Sequence, residues 1–274
     1  MYKVKRSKTT RRAFLKLAAA GSVTCATTSV FAFSKLNIGV GTYSYHSISI
    51  DAMIVQLKLL RIREIEMSRG EFMLLSNPDD ELFRTTRQKL DRAGIRCWSY
   101  YSATMNNNLD VERAIRFAKI LGCSNITGDA PAPVLRRIDE RLTQEQLTFG
   151  LHNHFFPHIR FAYESPEEVW NAISDLSKTM GATADTGQFA SCGYDPAAAI
   201  LKLAPRLRMV HLKDIEAKGE EKNVLLGTGI AHIPAVMREL RNMKYAGLVA
   251  VEYEKEGDVD QDMDKQIAYA RSLA

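Results

Sequence analysis

From residue 36 to the end of the chain, short apolar runs alternate with longer stretches whose apolar positions recur at helical spacing. The short runs predict strands at 36–44, 62–67, 94–102, 123–129, 147–153, 181–187, 206–214 and 247–254. Helices are expected after each of them, over 49–60, 79–92, 108–121, 132–145, 165–179, 195–203, 230–243 and 258–272. Start signals support this reading. Ser165-Pro166-Glu167-Glu168 offers a capping hydroxyl and a proline at the first helical position, and Asn77-Pro78-Asp79-Asp80-Glu81 precedes the second helix. Eight strand–helix units without a long foreign segment predict an α/β protein, a single (β/α)8 TIM barrel. A doubly wound sheet also alternates, but it rarely needs eight units in so short a chain.

The ends of the predicted strands collect side chains that bind metals and move protons. His152 and His154 close one run, and Asp185, His211 and Glu252 close later ones, with spacings of 33, 26 and 41 residues from His152 onward. Side chains this far apart converge only if their strands lie side by side and end at one rim, which is how a parallel barrel builds a site. The full set of strand-end residues adds Tyr43, Tyr45, His46, Glu66, Trp98, Tyr100, Tyr101, Asp129, Gln188, Lys213, Asp214 and Glu254. Two imidazoles and two carboxylates suit one divalent first-row ion (Mn²⁺, Zn²⁺, Fe²⁺ or Co²⁺) rather than an all-oxygen cage for Ca²⁺ or Mg²⁺. The expected ligands are His152, Asp185, His211 and Glu252. An ion there polarises a carbonyl and acidifies the neighbouring C–H. Glu252 and Glu66 are then the acids expected to move the proton, with Lys213 steadying the oxyanion. Trp98 and Tyr100, with Tyr101, fit a stacking wall for a sugar ring, and His154, Gln188 and Asp129 fit substrate contacts. Simpler readings stand beside these: a hydrogen-bonded core histidine for His211, barrel packing for the aromatics, and solvated surface for Asp214 and Glu254.

The first 32 residues change the charge picture. They hold seven Lys/Arg and no acid, then a weakly apolar run that ends in Val30-Phe31-Ala32. A basic start, a short apolar stretch and a small-x-small end make a signal peptide, too short and too interrupted for a membrane span. Thr10-Arg11-Arg12-Ala13-Phe14-Leu15-Lys16 adds the twin-arginine pattern. The expected organisation is therefore a leader over 1–32 and a barrel over 33–274, with an exported, periplasmic product that meets the membrane only in transit. The whole chain carries 37 basic and 32 acidic residues; without the leader the balance is 30 against 32. No electrostatic footprint for nucleic acid remains. Cys97, Cys123 and Cys192 are scattered and odd in number, so they form no disulfide framework; Cys97 and Cys123 read as small core residues.

The segments EIEM, GLHNH, ADTGQ, VHLKD and GTGIAHIPAVMRELRNMKYAGLVAVEYE together resemble the sugar phosphate isomerase/epimerase family of xylose isomerase-like barrels, over essentially all of 37–274. The resemblance implies a metal held by His152, Asp185, His211 and Glu252, and enediol-type proton transfer on sugars or dehydration. Two positions depart from the pattern. Epimerases of the family often carry Glu where this chain has His152, and a histidine where it has Gln188. The first change keeps a ligand and removes an acid, which shifts weight from two-base epimerisation towards elimination. Export places the protein where sugar phosphates are scarce, so free sugars, keto-sugars or cyclitols are the expected substrates. A non-catalytic sugar-binding barrel and an endonuclease IV-like metal hydrolase are the alternatives, and homo-oligomerisation is left open.

Overall fold

The strand runs pair side by side in parallel, and the last closes on the first. In the computed structural model, residues 35–155, 163–255 and 259–274 are described, the side chains of 259–261 excepted; the leader expected over 1–32 lies outside them. The strands are β1 (Asn37–Gly41), β2 (Glu64–Met67), β3 (Arg96–Thr104), β4 (Asn125–Asp129), β5 (Thr148–His152), β6 (Met180–Asp185) and β7 (Leu207–Leu212). A two-stranded hairpin of β8 (Asp214–Ile215) and β9 (Asn223–Val224) precedes the last barrel strand, β10 (Leu248–Val251). The closed order is β1-β10-β7-β6-β5-β4-β3-β2, so the expected eight-stranded barrel is the fold. Its register sets Asp185 opposite His211 and His152 opposite Thr183, which brings the ends of β5, β6 and β7 to one level.

The helices are α1 (Ile50–Leu59), α2 (Asp80–Ala93), α3 (Asn108–Leu121), α4 (Ala132–Leu142), α5 (Pro166–Ile173), α6 (Thr186–Cys192), α7 (Pro196–Leu203), α8 (Ile233–Asn242) and α9 (Val259–Ser272). Local chemistry sets their ends. Ser165 and Glu168 form a reciprocal capping box at the start of α5, and Asn107 caps α3. Gly94 and Gly122 end α2 and α3 in the left-handed conformation that glycine adopts without strain. The strand expected over 181–187 stops at Asp185, whose carboxylate caps α6 by accepting from the Gln188 amide. The helical spacing of apolar residues predicts no helix at that point.

Between barrel and helices lies an apolar layer with an aromatic cluster. Phe83 stacks on Phe117 at 4.0 Å, and Tyr100 meets Phe83 edge-on at 5.5 Å. Cys97 and Cys123 are buried in the core, their sulfurs 3.3 Å apart as free thiols. Inside the barrel a polar layer takes over: Ser99, Thr127 and Thr183 link hydroxyl to hydroxyl at 3.0 and 3.1 Å, and Asn125 donates to Ser99 and Thr127. Each buried polar group in that layer therefore has a partner.

Candidate active site

The carboxyl ends of β5, β6, β7 and β10 supply the chemically active side chains. His152 is the last residue of β5 and Asp185 the last of β6. Asn153 ties them by donating to the Asp185 carbonyl at 3.1 Å and accepting from its amide at 2.8 Å. His211 is the penultimate residue of β7. Just beyond it, the Thr186 hydroxyl donates to the Lys213 carbonyl and accepts from the Lys213 amide, which pins the start of α6 to the end of β7. Glu252 follows β10, its amide donating to Leu212. A cavity of about 230 Å³ opens here, lined by His152, Asp185, His211, Lys213 and Glu252 together with Tyr43, Tyr101, His154, Gln188 and Glu254.

One ligand atom each from His152, Asp185 and His211 lies within 4.8 Å of the others, and all three residues are buried. His152 Nε2 is 3.1 Å from His211 Nδ1, and Asp185 Oδ2 is 3.7 Å from both nitrogens. Glu252 Oε2 stands 3.4 Å from His211 Nδ1. Asp185 Oδ2 is buried and accepts no hydrogen bond, an expensive arrangement for a carboxylate oxygen unless a cation shares its space. These donors fit a divalent ion: two imidazole nitrogens, one unclaimed carboxylate oxygen and a second carboxylate alongside.

Charge is concentrated around one ammonium. Lys213 Nζ donates to Glu254 and lies 3.9 Å from Asp185 Oδ2 and 3.8 Å from Glu252 Oε2. Burial alone lowers a lysine's pKa, but Glu254, Asp185 and Glu252 outweigh it and hold Lys213 protonated. Burial raises Asp185, and the Lys213 charge with the two imidazoles overcomes it, so the carboxylate stays well below its usual range. For Glu252 burial prevails, supported by Glu254 and Asp185 against His211 and Lys213, and its pKa is raised. His154 is pushed down to about 4, first by burial and then by His152. It is a neutral imidazole near neutral pH, with Nδ1 3.0 Å from the Phe155 carbonyl. Burial, then Asp129 and the glutamates, raise the Tyr101 phenol, which therefore keeps its proton.

Several sequence expectations are corrected. Tyr100 faces away from the cavity: it is buried in the aromatic cluster and its hydroxyl donates to the Phe72 carbonyl at 2.7 Å. Trp98 packs on Met209, Leu248 and Ala250 with the Arg96 guanidinium 4.8 Å above its ring, so it too lines no part of the cavity. Among the described residues, the tyrosines that reach it are Tyr101 and Tyr43. Glu66 is fully buried behind His211, its Oε2 2.6 Å from His211 Nε2, and does not border the cavity. Burial raises the Glu66 pKa, but His211, Thr127 and His152 outweigh it and keep the carboxyl ionised.

His154 and Gln188 border the cavity as expected, and Gln188 Oε1 also accepts from the Phe155 amide at 2.8 Å, holding the turn after β5. Asp129 ends β4 buried without lining the cavity; burial raises its pKa against the Thr104 hydroxyl and His152. Asp214, expected on the surface, is buried and clasps the loop before α8. Its carboxylate accepts from the amides of Gly227, Gly229 and Ala231. A Cβ on Gly229 would stand 2.1 Å from the Ile215 carbonyl, so only glycine fits there. Glu254 is exposed, as expected, and also lines the cavity, paired to Lys213. The sequence signal missed was its place two residues beyond Glu252 in an extended segment, which turns both side chains to one side.

Comparison with known proteins agrees with this architecture. The family model for the xylose isomerase-like TIM barrel matches residues 64–273. Among characterised proteins, the rhizopine catabolism protein MocC of Rhizobium meliloti is 27% identical over 146 residues, covering 47% of this chain and 44% of MocC, less than half of either. Among solved structures, the probable 3-DHS dehydratase AsbF of Bacillus anthracis aligns with a TM-score of 0.69 at 12% identity, over 85% of this chain and 98% of AsbF. The IolI protein, solved with a bound zinc atom, aligns with a TM-score of 0.68 at 14% identity, over 87% of this chain and 95% of IolI.

Proposed function

This chain belongs to the xylose isomerase-like TIM barrel family, and from that premise we propose that it is a metal-dependent isomerase, epimerase or lyase acting on a sugar, keto-sugar or cyclitol. The observation that carries the reading is the convergence of His152 Nε2, His211 Nδ1 and Asp185 Oδ2 on one buried point, with the Asp185 oxygen free of hydrogen bonds. His152, Asp185 and His211 would hold a divalent ion, with Glu252 beside them. When bound, the ion supplies a Lewis acid for a substrate carbonyl. IolI, which shares the fold, was solved with a bound zinc atom, and this supports a metal-dependent reading.

The chain's own groups do the rest. Glu252 borders the cavity and takes the proton from the carbon next to the carbonyl. Lys213, kept charged by three carboxylates, donates a hydrogen bond to the oxygen on which negative charge develops. Tyr101 and Tyr43 give a sugar ring flat apolar surface with polar edges, and His154 and Gln188 offer partners for hydroxyls. Glu66 stands behind His211, and Glu254, the other glutamate on the cavity wall, is paired to Lys213, which favours the isomerase and lyase branches over two-base epimerisation. AsbF, named as a dehydratase, lies in that direction.

The leader over 1–32 completes the reading: a twin-arginine substrate is exported folded, so the ion is loaded before export and the enzyme meets unphosphorylated sugars outside the cytoplasm. Ion analysis of the purified mature protein, followed by a panel of ketoses, inososes and 3-keto-glycosides in deuterated water, tests the proposal. About one ion per chain and solvent deuterium entering a substrate C–H are expected. Metal and sugar binding without exchange would make the protein a binder instead.

A further inference from the structure

The two imidazoles of the site are set differently, and the difference gives Glu66 a task. His211 Nδ1 faces His152 Nε2, Glu252 Oε2 and Asp185 Oδ2 at 3.1, 3.4 and 3.7 Å, whereas its Nε2 points the other way, 2.6 Å from Glu66 Oε2. Glu66 has no exposed surface and does not border the cavity, so it cannot reach a substrate. A fully buried carboxylate is costly unless a charged or strongly polar partner offsets its lost hydration. His211 is that partner. His152 has no equivalent: its Nδ1 is buried without a hydrogen bond.

We propose that Glu66 is a positioning residue that fixes His211 in the Nε2–H form, so that the Nδ1 lone pair is the one offered to a divalent cation at the cavity. This rests on the metal-site reading given above. A carboxylate behind a ligating histidine fixes the tautomer and ring orientation and raises the basicity of the ligating nitrogen. Glu66 pairs in register with Ser99, whose hydroxyl is linked to Thr127 and through it to Thr183. The other oxygen of Glu66, Oε1, is buried without a hydrogen-bond partner, so the contact with His211 carries the burden of holding this carboxylate in place.

The test uses the full mature chain, stripped of metal and titrated with Zn²⁺ against a chromophoric chelator, in parallel with Glu66→Gln and Glu66→Ala. Zn²⁺ affinity should fall roughly 10- to 100-fold in Glu66→Gln and at least as far in Glu66→Ala. The absorption spectrum of the Co²⁺-loaded protein should change with it, a signature that a general loss of stability would not give. Affinity and spectrum unchanged in both variants would overturn the assignment. If neither variant folds, ring-nitrogen NMR of the zinc-loaded wild type decides: proton on Nε2 and metal on Nδ1 of His211 supports it, and the reverse overturns it. Wild type that takes up no Zn²⁺ brings down the metal-site reading and this one together, whereas zinc-binding wild type with indifferent variants removes only the role of Glu66.

Discussion

The two ends of the barrel are furnished with the same kinds of side chain and use them in opposite ways. At the amino end, Glu64 accepts from Asn37 and from Arg96, and Arg96 in turn lies over the ring of Trp98. The Glu64 and Arg96 charges are matched to each other there, and the aromatic ring closes the interior against Met209 and Leu248. At the carboxyl end, Asp185, Glu252 and Glu254 crowd around one lysine, and two imidazole nitrogens face each other across an oxygen that nothing donates to. At the amino end Asn37, Glu64 and Arg96 satisfy one another. A site leaves its polar groups aimed at a common point, and the fold tolerates the cost because the rest of the barrel supplies the stability.

That contrast can be broken most forcefully at Glu252. Replacement by Gln should reduce solvent deuterium exchange into substrate by about 10²- to 10⁴-fold, the usual range for a lost proton-transfer group, while thermal unfolding changes little. Equal exchange rates would move the base elsewhere.

A smaller effect should appear at His154 as a pH dependence. Its folded pKa of about 4 lies below the ordinary value of 6.5 because burial disfavours the cation. Between those values the unfolded chain holds the proton and the folded one does not, so stability is full above pH 6.5 and declines as pH falls towards 4. The loss should be roughly 2–3 kcal/mol, and His154→Gln should flatten that part of the curve. A slope unchanged in the variant would place the cause at another group.

The carboxyl-end residues on β5, β6, β7 and β10 are legible in the sequence because a histidine or acid at the end of a buried apolar run stands out. The side chains on β2 and β3 are not. Pairing of β2 with β3 slips between Ile65 and Glu66, and pairing of β3 with β4 slips between Tyr101 and Thr104. Such irregularities change which face a side chain takes, and period-two counting cannot see them. Tyr100 points outward to Phe83 and Phe117 while its neighbour Tyr101 reaches the cavity. Trp98 stays in the interior but at the amino end against Met209, Leu248 and Ala250, and Glu66 stands behind His211. The eight-fold alternation survives such slips, since it depends on where elements occur and not on which way each residue points. Asp214 escapes a sequence reading for another reason: its partners are backbone amides of the Gly227–Ala231 loop, and no side-chain pattern marks them.

Tyr100→Phe sharpens the corrected picture. It removes a buried donor from the Phe72 carbonyl and should cost about 1 kcal/mol of stability with no change in metal content or exchange. Reduced metal content would return Tyr100 to the site. The smallest effect belongs to the amino end. Arg96→Ala opens a half-exposed ion pair with Glu64 and should cost under about 1 kcal/mol, mostly removable by salt.

The most direct measurement is an anomalous-scattering map from crystals of the mature protein grown with Zn²⁺ or Co²⁺. One strong peak bounded by His152 Nε2, Asp185 Oδ2 and His211 Nδ1 is expected, with Glu252 beside it. A map with no peak there, or with the ion held by other residues, would contradict the account.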